Sequence, residues 1–577
     1  MVTQSGVFFF DGRPNASTSG CRRGESGLAM TWDGRLDNRE DLLLQIGGTL
    51  PGCATDAEIT LALVERRGLD AFRDLIGDWS AAVWDERNRC LHLARDYMGA
   101  RPLYYHAGSD SVSWSSSLGE LVERCGFRDA LSEAFVARFM SLRPSPEDTP
   151  YESVRAVPAA TCLSFDARGA IARRRFWSLE PSLIRYADKR AYEEHLRALW
   201  RDAVASRLRA RGVIWAELSG GLDSSSVVCM ADRLIQSGQV GATSIRPVSH
   251  ATLRSPEGDE RRFIAEVERQ LGVRSEIVGV EEHQDCRDEA WDWVSPYALH
   301  GVGLECVRRV RDGGGREVLS GRMGDAVMGC QPDNGAAVFD DFARWRVRDA
   351  LANMRAWSRA TRKPFVEIAW RLLVAADEDR ADPGTGLLTA RLKEFTGGSD
   401  PFQELLRGIR PAKRALARMV LGYSVGARLD VPVLPPGITY TYPFSHRPLV
   451  EFMLAIPGEE SSAPGDTRSL MRRAFAGFVP DRVLRRTSKG YYPPAAFRAA
   501  REAVASLSRI EDLEVVRRGW IDPARLREAI RALTDGGGAT GGEVHSVLRL
   551  EKWLQARQHA PANSQRREVK TNEVLNA

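Results

Sequence analysis

The run WAELSGGLDSSS at residues 215–226 constrains the fold of this chain more than any other feature. The apolar residues before Ser219 predict a buried strand, and the apolar spacing across 227–235 predicts a helix soon after the loop. Two adjacent glycines permit backbone angles that other residues avoid, so successive N–H groups can converge on an anion. The positive end of the helix lies at the same place. The run therefore predicts an anion site at the end of a strand in an α/β sheet.

The carboxylate of Asp223 lies inside this predicted anion site. Phosphate would repel it unless a cation lay between them, so the run predicts a nucleotide polyphosphate held together with Mg²⁺. It is not the common phosphate-binding loop, because no Gly-Lys-Ser/Thr follows the glycines. A plain Gly-Ser turn between a strand and a helix is the alternative interpretation that involves no ligand.

The chain is too long for a single hydrophobic core, and its 577 residues predict two or three domains. Hydrophobic residues make up 43% and charged residues 27%, as in ordinary soluble globular proteins. Because 81 basic residues nearly balance 77 acidic ones and form no basic block, we expect no nucleic-acid binding. Nine dispersed cysteines, no signal peptide and no apolar stretch of membrane-spanning length predict a cytoplasmic protein that does not bind a membrane.

The pattern of apolar residues changes near residue 185. Residues 1–185 contain many short strand-like runs between Asp and Gly turns, with helical stretches between them, which predicts an α+β sandwich of antiparallel sheets. From residue 186 strands and helices alternate, which predicts a doubly wound α/β sheet. After about residue 335 we expect an almost wholly helical region, so that this second domain spans 186–558. The polar residues 559–577 are expected to be a disordered tail.

Longer runs in both domains resemble the asparagine synthetase superfamily. In the first domain they are GDWSAAVWD at 77–85 and ARDYMGARPLYY at 94–105. In the second they are the loop at Ser219, LSGRMGD at 319–325 and PFSHRPLVEF at 443–452. The resemblance implies a glutaminase-like domain of the N-terminal-nucleophile (Ntn) type. It also implies a pyrophosphate-loop synthetase domain, similar to the adenine nucleotide α-hydrolases, with a helical C-terminal part. Such enzymes split ATP between its α- and β-phosphates and release pyrophosphate.

The first domain departs from a working glutaminase of this superfamily. The family's nucleophile is a cysteine at position 2, where this chain has Val2, and the first cysteine is Cys21. A valine side chain has no atom that can attack an amide. The family's glutamine-gripping Asn-Gly-Glu is Asp33-Gly34-Arg35 here, and its His-Arg-Gly-Pro-Asp stretch is missing. We therefore expect a degenerate domain that releases no ammonia and supports the synthetase structurally.

The resemblance assigns ATP-binding roles to the residues of the two loops. The residues implied to hold the phosphates that become pyrophosphate are Ser219, Gly220, Gly221, Ser224 and Ser225. The residues implied to contact the adenylate are Leu218, Ser320 and Gly321, together with the backbone around Val248 and Ser249.

Three further residues are implied to carry the chemistry. Asp223 and Asp325 are the implied Mg²⁺ ligands, although an N-cap is the alternative role for Asp325. Lys489 is implied to stabilise the negative charge that develops on the α-phosphate. It lies one place away from the family pattern Arg-x-Lys-x-Gly, and a solvated surface lysine is its alternative role. The neighbours Asp259 and Glu260 either match an acidic pair of the family or simply begin a helix.

Without ammonia from glutamine, the attacking amine must come from elsewhere. Two branches of the superfamily, β-lactam synthetases and lasso peptide cyclases, activate a carboxylate with ATP and close a lactam with an amine of the same molecule. The runs at 215–232, 446–452 and 488–491 resemble those of the cyclases. Arg322 stands where β-lactam synthetases carry a tyrosine, and an arginine cannot act as a base at neutral pH.

The resemblance therefore implies a lasso peptide cyclase. Such an enzyme adenylates an Asp or Glu side chain of a core peptide and joins it to the peptide's N-terminal amine as an isopeptide macrolactam. The implied partners are the precursor peptide, a leader peptidase and a leader-recognition protein. A β-lactam synthetase, an ammonia-dependent asparagine synthetase and a non-enzymatic scaffold stay open as alternatives. No general base is identified, and His446, which stands where the synthetases have Asp, either touches substrate or caps a helix.

Overall fold

The computed structural model describes sixteen stretches of the chain. They are residues 4–11, 16–17, 21–48, 50–143, 145–179, 182–210, 212–253, 258–283, 292–294, 300–329, 336–367, 386–397, 402–424, 437–486, 509–534 and 541–559. Val2, Lys489 and the tail 560–577 lie outside the described residues, so the structure does not test what the sequence predicts for them.

Two antiparallel sheets form the first domain. Their strands, in chain order, are β1 (Ser5–Phe9), β2 (Ala16–Ser17), β3 (Arg22–Arg23), β4 (Leu28–Leu36), β5 (Gly77–Asp85), β6 (Cys90–Arg95), β7 (Tyr104–Ala107), β8 (Ser111–Ser115), β9 (Arg155–Ala156), β10 (Thr161–Phe165) and β11 (Ile171–Arg175). One sheet has the order β2-β1-β8-β7-β9 and the other β11-β10-β6-β5-β4-β3. A shared apolar cluster that includes Trp84, Trp114 and Phe165 joins their inner faces.

Helices cover the outer face of each sheet. Helices α1 (Arg39–Ile46) and α2 (Asp56–Arg67) pack on β4 and β5, while α3 (Leu118–Cys125) and α4 (Glu133–Met140) pack on the other sheet. Helix α2 begins with a capping box, in which Thr55 and Glu58 bind each other's backbone N–H groups. The result is a four-layer α+β sandwich, as the strand pattern predicts.

A parallel five-stranded sheet forms the centre of the second domain. Its strands are β12 (Gly212–Glu217), β13 (Ala242–Ala251), β14 (Glu276–Gly279), β15 (Glu317–Leu319) and β16 (Thr439–Thr441), in the order β14-β13-β12-β15-β16. Helix α5 (Lys189–Ala205) precedes β12, and the helices between the strands are α6 (Leu222–Gln236), α7 (Arg261–Leu271) and α8 (His300–Asp312). The chain moves from β12 to one side and returns to β15 on the other. The strand order therefore reverses at β12, which is where open α/β sheets bind ligands.

The remaining helices follow β15 in the chain. They are α9 (Gly324–Val327), α10 (Ala336–Ala343), α11 (Val347–Thr361), α12 (Ala390–Lys393), α13 (Pro411–Ser424), α14 (Arg447–Ala455), α15 (Gly458–Ser461), α16 (Ser469–Ala474), α17 (Asp481–Leu484), α18 (Glu514–Arg517), α19 (Pro523–Thr534) and α20 (Gly541–His559). Helices α18–α20 share an apolar cluster with α3 and α4 of the first domain. Among the described helices, none is both long and apolar enough to cross a membrane.

Two sequence predictions are wrong in detail. The helix after the loop begins at Leu222 rather than at 227, because Gly221 has the extended backbone of an N-cap (φ −78°, ψ 162°). Asp223, Ser224 and Ser225 therefore lie in the first helical turn rather than in the loop. The region after residue 335, expected to be almost wholly helical, also contains a short strand, since β16 extends the sheet edge beside β15. A three-residue strand is too short for its alternation to stand out from the surrounding helices.

Candidate active site

The loop between β12 and α6 is a tight turn that glycine makes possible. Gly220 has φ +70°, and a Cβ at this position would lie 2.8 Å from the Cβ of Phe263 and 3.0 Å from the backbone N of Ile264. The backbone N–H of Ser219 donates to Oγ of Ser224 at 3.0 Å, and the two hydroxyls are also 3.0 Å apart. These contacts fold the loop back onto the first turn of the helix.

The N-terminus of α6 has the donors that an anion needs. The helix is 15 residues long, and no side chain caps its first turn. Its unsatisfied N–H groups and its dipole favour a negative charge at this end. The hydroxyl of Ser225 is buried and has no hydrogen-bond partner among the residues that the structure describes. This donor set fits the phosphates of a nucleotide, which bind at such helix ends.

The second loop, between β15 and α9, packs directly on this turn. A Cβ at Gly321 would lie 2.6 Å from the backbone N of Ser224, and one at Gly324 would lie 2.3 Å from the carboxylate of Asp223. Both positions therefore need glycine. The close approach brings Asp325, the second residue of α9, to the same place as Asp223.

Arg468 connects the two carboxylates. Its Nη1 lies 2.7 Å from Oδ1 of Asp223, and its Nη2 donates to Oδ1 of Asp325. Because one guanidinium spans both groups, the two carboxylates are close enough to share a cation. The described residues contain no group of three or more His, Cys, Asp or Glu side chains that could cage a metal. Mg²⁺ is usually held by one or two carboxylates and completed by phosphates and water, so this pair fits it.

The end of β15 is tied to the end of β12. The hydroxyl of Ser320 donates to Oε2 of Glu217 at 2.5 Å, and the backbone N–H of Arg322 donates to the same hydroxyl at 3.2 Å. The guanidinium carbon of Arg322 lies 5.8 Å from the ring centre of Tyr442. The structure thus brings Leu218, Ser320 and Gly321 to the carboxyl ends of neighbouring strands, beside the two carboxylates.

Comparison with known proteins identifies the family. Residues 195–555, more than half of the chain, match the family model described as Asparagine synthase. The chain belongs to the asparagine synthase family. Residues 23–177 match the model described as Glutamine amidotransferase domain, so an amidotransferase-like half precedes the synthase half.

Several relatives have similar sequences. The chain is 30% identical over 179 residues to a putative glutamine-hydrolysing asparagine synthetase 2 of Methanocaldococcus jannaschii. This alignment covers 30% of this chain and 34% of that relative. The chain is also 22% identical over 500 residues to the glutamine-hydrolysing asparagine synthetase 3 of Bacillus subtilis. That alignment covers 80% of this chain and 75% of the relative. The chain thus spans about a third of the first relative's length.

One solved structure aligns with half of the chain. It is a glutamine phosphoribosylpyrophosphate amidotransferase from B. subtilis complexed with ADP and GMP, at 12% identity and a TM-score of 0.23, covering 50% of this chain and 88% of that one. A likeness of this size carries no argument about the site.

In this asparagine synthase family member, Glu260 and Arg486 support the loop between β12 and α6. Arg486 forms an ion pair with Glu260, and its Nη1 donates to the carbonyl oxygen of Gly220 at 3.2 Å. Its guanidinium carbon lies 4.1 Å from the ring centre of Phe263. Asp259 pairs instead with Arg261 at 2.7 Å. Each carboxylate of the acidic pair before α7 is therefore bound by an arginine. Arg486 is also the last described residue before the segment that contains Lys489.

His446 lies between the synthase and amidotransferase-like halves rather than beside Asp223 and Asp325. Its Nδ1 is 3.1 Å from Oδ2 of Asp37, which also lies 3.2 Å from Nη1 of Arg207. The Asp37 side chain is only 1% exposed. Although burial opposes it, the guanidinium groups of Arg35 and Arg207 hold the pKa of Asp37 well below its ordinary value. This buried charge network joins the two halves.

Arg35 of the amidotransferase-like half belongs to the same network. Its guanidinium lies 3.1 Å from Oδ2 of Asp78 and donates to the carbonyl oxygen of Ser206 at 3.1 Å. The preceding Gly34 has φ +147°, and a Cβ there would lie 2.3 Å from the carbonyl oxygen of Asp78. The position where the family carries a glutamine-gripping glutamate therefore holds an arginine that reaches across to the synthase half.

Four of the described thiols in the amidotransferase-like half are not activated nucleophiles. Burial raises the pKa of Cys21, Cys90 and Cys125, and it raises the pKa of Cys162 to about 12. A reactive cysteine has a lowered pKa, because the thiolate is the attacking form.

Local sequence patterns could not identify three of these residues. Arg468, Arg486 and Glu217 act through contacts with residues far away in the chain, and arginine is common here. The one sequence signal for Glu217 is that it is the single charged residue of the apolar strand β12.

Proposed function

We propose that this chain is an ATP-dependent lasso peptide cyclase. It adenylates an Asp or Glu side chain of a core peptide and closes an isopeptide macrolactam with the peptide's N-terminal amine. The observation that carries the proposal is the contrast between a two-loop nucleotide site with both carboxylates in place and a glutamine-gripping position that holds Arg35. An enzyme that has the nucleotide site but lacks a working glutaminase needs an amine from a source other than glutamine.

The phosphates of ATP would bind at the start of α6. The groups that hold them are the N–H groups of the first turn with the hydroxyls of Ser219, Ser224 and Ser225, while Leu218, Ser320 and Gly321 face the adenosine part. Asp223 and Asp325 would hold Mg²⁺, which neutralises phosphate charge. Arg468, which contacts both carboxylates, would then donate to the phosphates instead. Lys489, outside the described residues, is proposed to stabilise the charge that develops on the α-phosphate.

The reaction has two steps. An oxygen of the peptide carboxylate attacks the α-phosphorus, and pyrophosphate leaves. The peptide amine then attacks the acyl carbon, and AMP leaves. The chain's main contribution is to hold the amine beside the acyl-adenylate, since a fixed geometry alone lowers such barriers by several kcal/mol. Partners proposed with this function are the precursor peptide, a leader peptidase and a leader-recognition protein.

A second candidate is an ammonia-dependent asparagine synthetase. The relatives from M. jannaschii and B. subtilis bear the name asparagine synthetase, and their similarity supports this reaction as directly as it supports lactam formation. A β-lactam synthetase is a weaker candidate, because Arg322 interacts with the Tyr442 ring and offers no base.

The test is a product analysis. Purified enzyme receives ATP, Mg²⁺ and synthetic leader-free peptides encoded by any short reading frames that neighbour its gene. We expect AMP, pyrophosphate and a peptide that has lost one water through an isopeptide bond. The same peptide with an acetylated N-terminus should support ATP–pyrophosphate exchange but no ring closure. Asparagine formed from aspartate and ammonium, with no reaction of the peptide, would establish the second candidate instead.

A further inference from the structure

Glu217 is an acidic residue at the carboxyl edge of the central sheet to which ATP binding gives no role. It is the last residue of β12, two positions before Ser219, and it lies where the strand order reverses. Trp215, on the same face of the strand, packs against Gly313 and Gly315 after α8. Glu217 therefore points to the α8 side of the sheet, whereas the neighbouring Ala216 points to the opposite side.

The carboxylate of Glu217 differs from the other carboxylates at this edge. Asp223, Asp325 and Glu260 are each paired with an arginine. Glu217 forms no ion pair with any residue that the structure describes, and it accepts one hydrogen bond, from Ser320 at 2.5 Å. A carboxylate at a ligand-binding edge without a cationic partner favours a cation supplied by the ligand.

The neighbours of Glu217 also have unused hydrogen-bonding capacity. The hydroxyl of Tyr440 on β16 has no hydrogen-bond partner among the described residues, although the residue is only 5% exposed. Burial and the nearby Glu217 carboxylate raise the pKa of Tyr440 well above its ordinary value. Burial and Glu217 likewise raise the pKa of Cys306 on α8 to about 12. Both groups are therefore neutral at physiological pH, and the guanidinium of Arg322 is the charged group on the next loop.

We propose that Glu217 binds the substrate's attacking amine and accepts its proton. The proposal rests on the proposed function, because it assumes an amine that meets an acyl-adenylate at this edge. A peptide α-amine has a pKa of about 7.7–8.0, so much of it is ammonium at neutral pH and cannot attack. One oxygen of Glu217 is held by Ser320, which fixes the carboxylate and leaves the other oxygen for the ammonium.

The proton and electron movements balance. The ammonium gives one proton to Glu217, and the nitrogen lone pair forms the C–N bond at the acyl carbon. The acyl C–O bond breaks, and its electron pair leaves with the phosphate of AMP. The remaining excess proton on nitrogen passes to an oxygen of that phosphate. No oxidant, reductant or further reactant is needed.

The experiment compares the wild type with Glu217→Gln in three assays on the synthetic core peptide. Pyrophosphate exchange with the N-acetylated peptide measures adenylation alone. Single-turnover ring closure with the free peptide measures the amine step. Trapping with hydroxylamine, which is unprotonated at neutral pH, measures acyl transfer that needs no base. Cys306→Ala is the matched control, because it changes a neighbour of Glu217 without removing the carboxylate.

We expect Glu217→Gln to keep exchange and hydroxamate formation within about threefold of wild type, while ring closure slows by about 10²–10⁴-fold, the range of a lost general base. The defect should shrink above about pH 8, where the amine is unprotonated without help. Cys306→Ala should close the ring at nearly the wild-type rate.

Three results would overturn the proposal. Wild-type ring closure in Glu217→Gln at neutral pH would show that the carboxylate does not handle the amine. Loss of exchange would assign Glu217 to nucleotide binding or to the fold. A wild-type enzyme that shows no exchange with the peptide would refute the proposed function itself, and this inference with it.

Discussion

The amidotransferase-like half and the synthase half differ in what their active-site positions still carry. In the first, Arg35 stands where the family grips glutamine and is engaged by Asp78 and Ser206. In the second, glycine remains where a Cβ would clash, at Gly220 and Gly321, and the loops keep their carboxylates.

The difference shows which features a fold needs and which only a reaction needs. The sandwich is held by its apolar layers and by the charge network around Asp37, none of which requires a nucleophile. The loops after β12 and β15, by contrast, pack so closely at Gly220, Gly321 and Gly324 that their geometry depends on single glycines. The following predictions, ordered from the largest effect to the smallest, test this contrast.

Asp223→Asn should abolish AMP release, with pyrophosphate exchange falling by about 10³-fold or more, because a metal ligand and its charge are lost. The fold should persist, as judged by an unchanged thermal unfolding profile. Asp232→Asn, later on the same helix, is the control and should exchange normally. Wild-type turnover in Asp223→Asn would refute the metal role.

Gly220→Ala should reduce pyrophosphate exchange by about 10²-fold, because the added Cβ clashes with Phe263 and displaces the loop donors. The control is Gly238→Ala, whose φ is +68° but whose Cβ would meet nothing within 4 Å. Both variants carry the strain of a left-handed alanine, about 1–2 kcal/mol. Equal rates of pyrophosphate exchange in the two variants would mean that the close contact of the Gly220 backbone with α7 is not needed for adenylation.

Asp37→Asn should lower the free energy of unfolding by about 3–5 kcal/mol, because it removes the nearer of the two carboxylates that pair with the buried Arg207 and leaves only Asp78, at 3.9 Å. Exchange per folded molecule should change little. The exposed pair of Asp70 and Arg174 provides the control, and Asp70→Asn should cost less than about 1 kcal/mol. Denaturant-induced unfolding measures the change in the free energy of unfolding for both variants. A loss of exchange in folded Asp37→Asn would show that the first half does more than support the second.

The buried carboxyl group of Asp96 should make the free energy of unfolding decrease as the pH rises. Burial and the nearby Asp78 carboxylate raise the pKa of Asp96 to about 6 in the folded chain, against about 3.9 when unfolded. Between these two pKa values the folded state holds a proton that the unfolded state has lost. The contribution of Asp96 to the free energy of unfolding is therefore largest below the pKa of the unfolded state, and it is lost as the pH rises through the pKa of the folded state. The loss is at most about 3 kcal/mol.

Unfolding free energies at several pH values between 4 and 7 measure this effect as the difference between wild type and Asp96→Asn. The expected outcome is a difference that changes across this window, since the asparagine does not titrate. A constant difference would contradict the raised pKa.

The sequence predicts those parts of the structure that depend on local pattern. The strand, glycine loop and helix around Ser219 are encoded within a few residues, and the turn signals of the first half predict its sandwich. The bridging Arg468 and the partner of His446 follow from contacts between residues that lie hundreds of positions apart. Such pairings leave no periodicity in the chain, and β16 is too short to leave one.

The central claim is that the synthase half works with an amine that does not come from glutamine. The most direct measurement supplies ATP, Mg²⁺, the core peptide and glutamine labelled with ¹⁵N in its amide, followed by mass spectrometry of the peptide. The account predicts AMP and a peptide that has lost one water and carries no label. A product that contains ¹⁵N, or glutamate released in step with AMP, would contradict it.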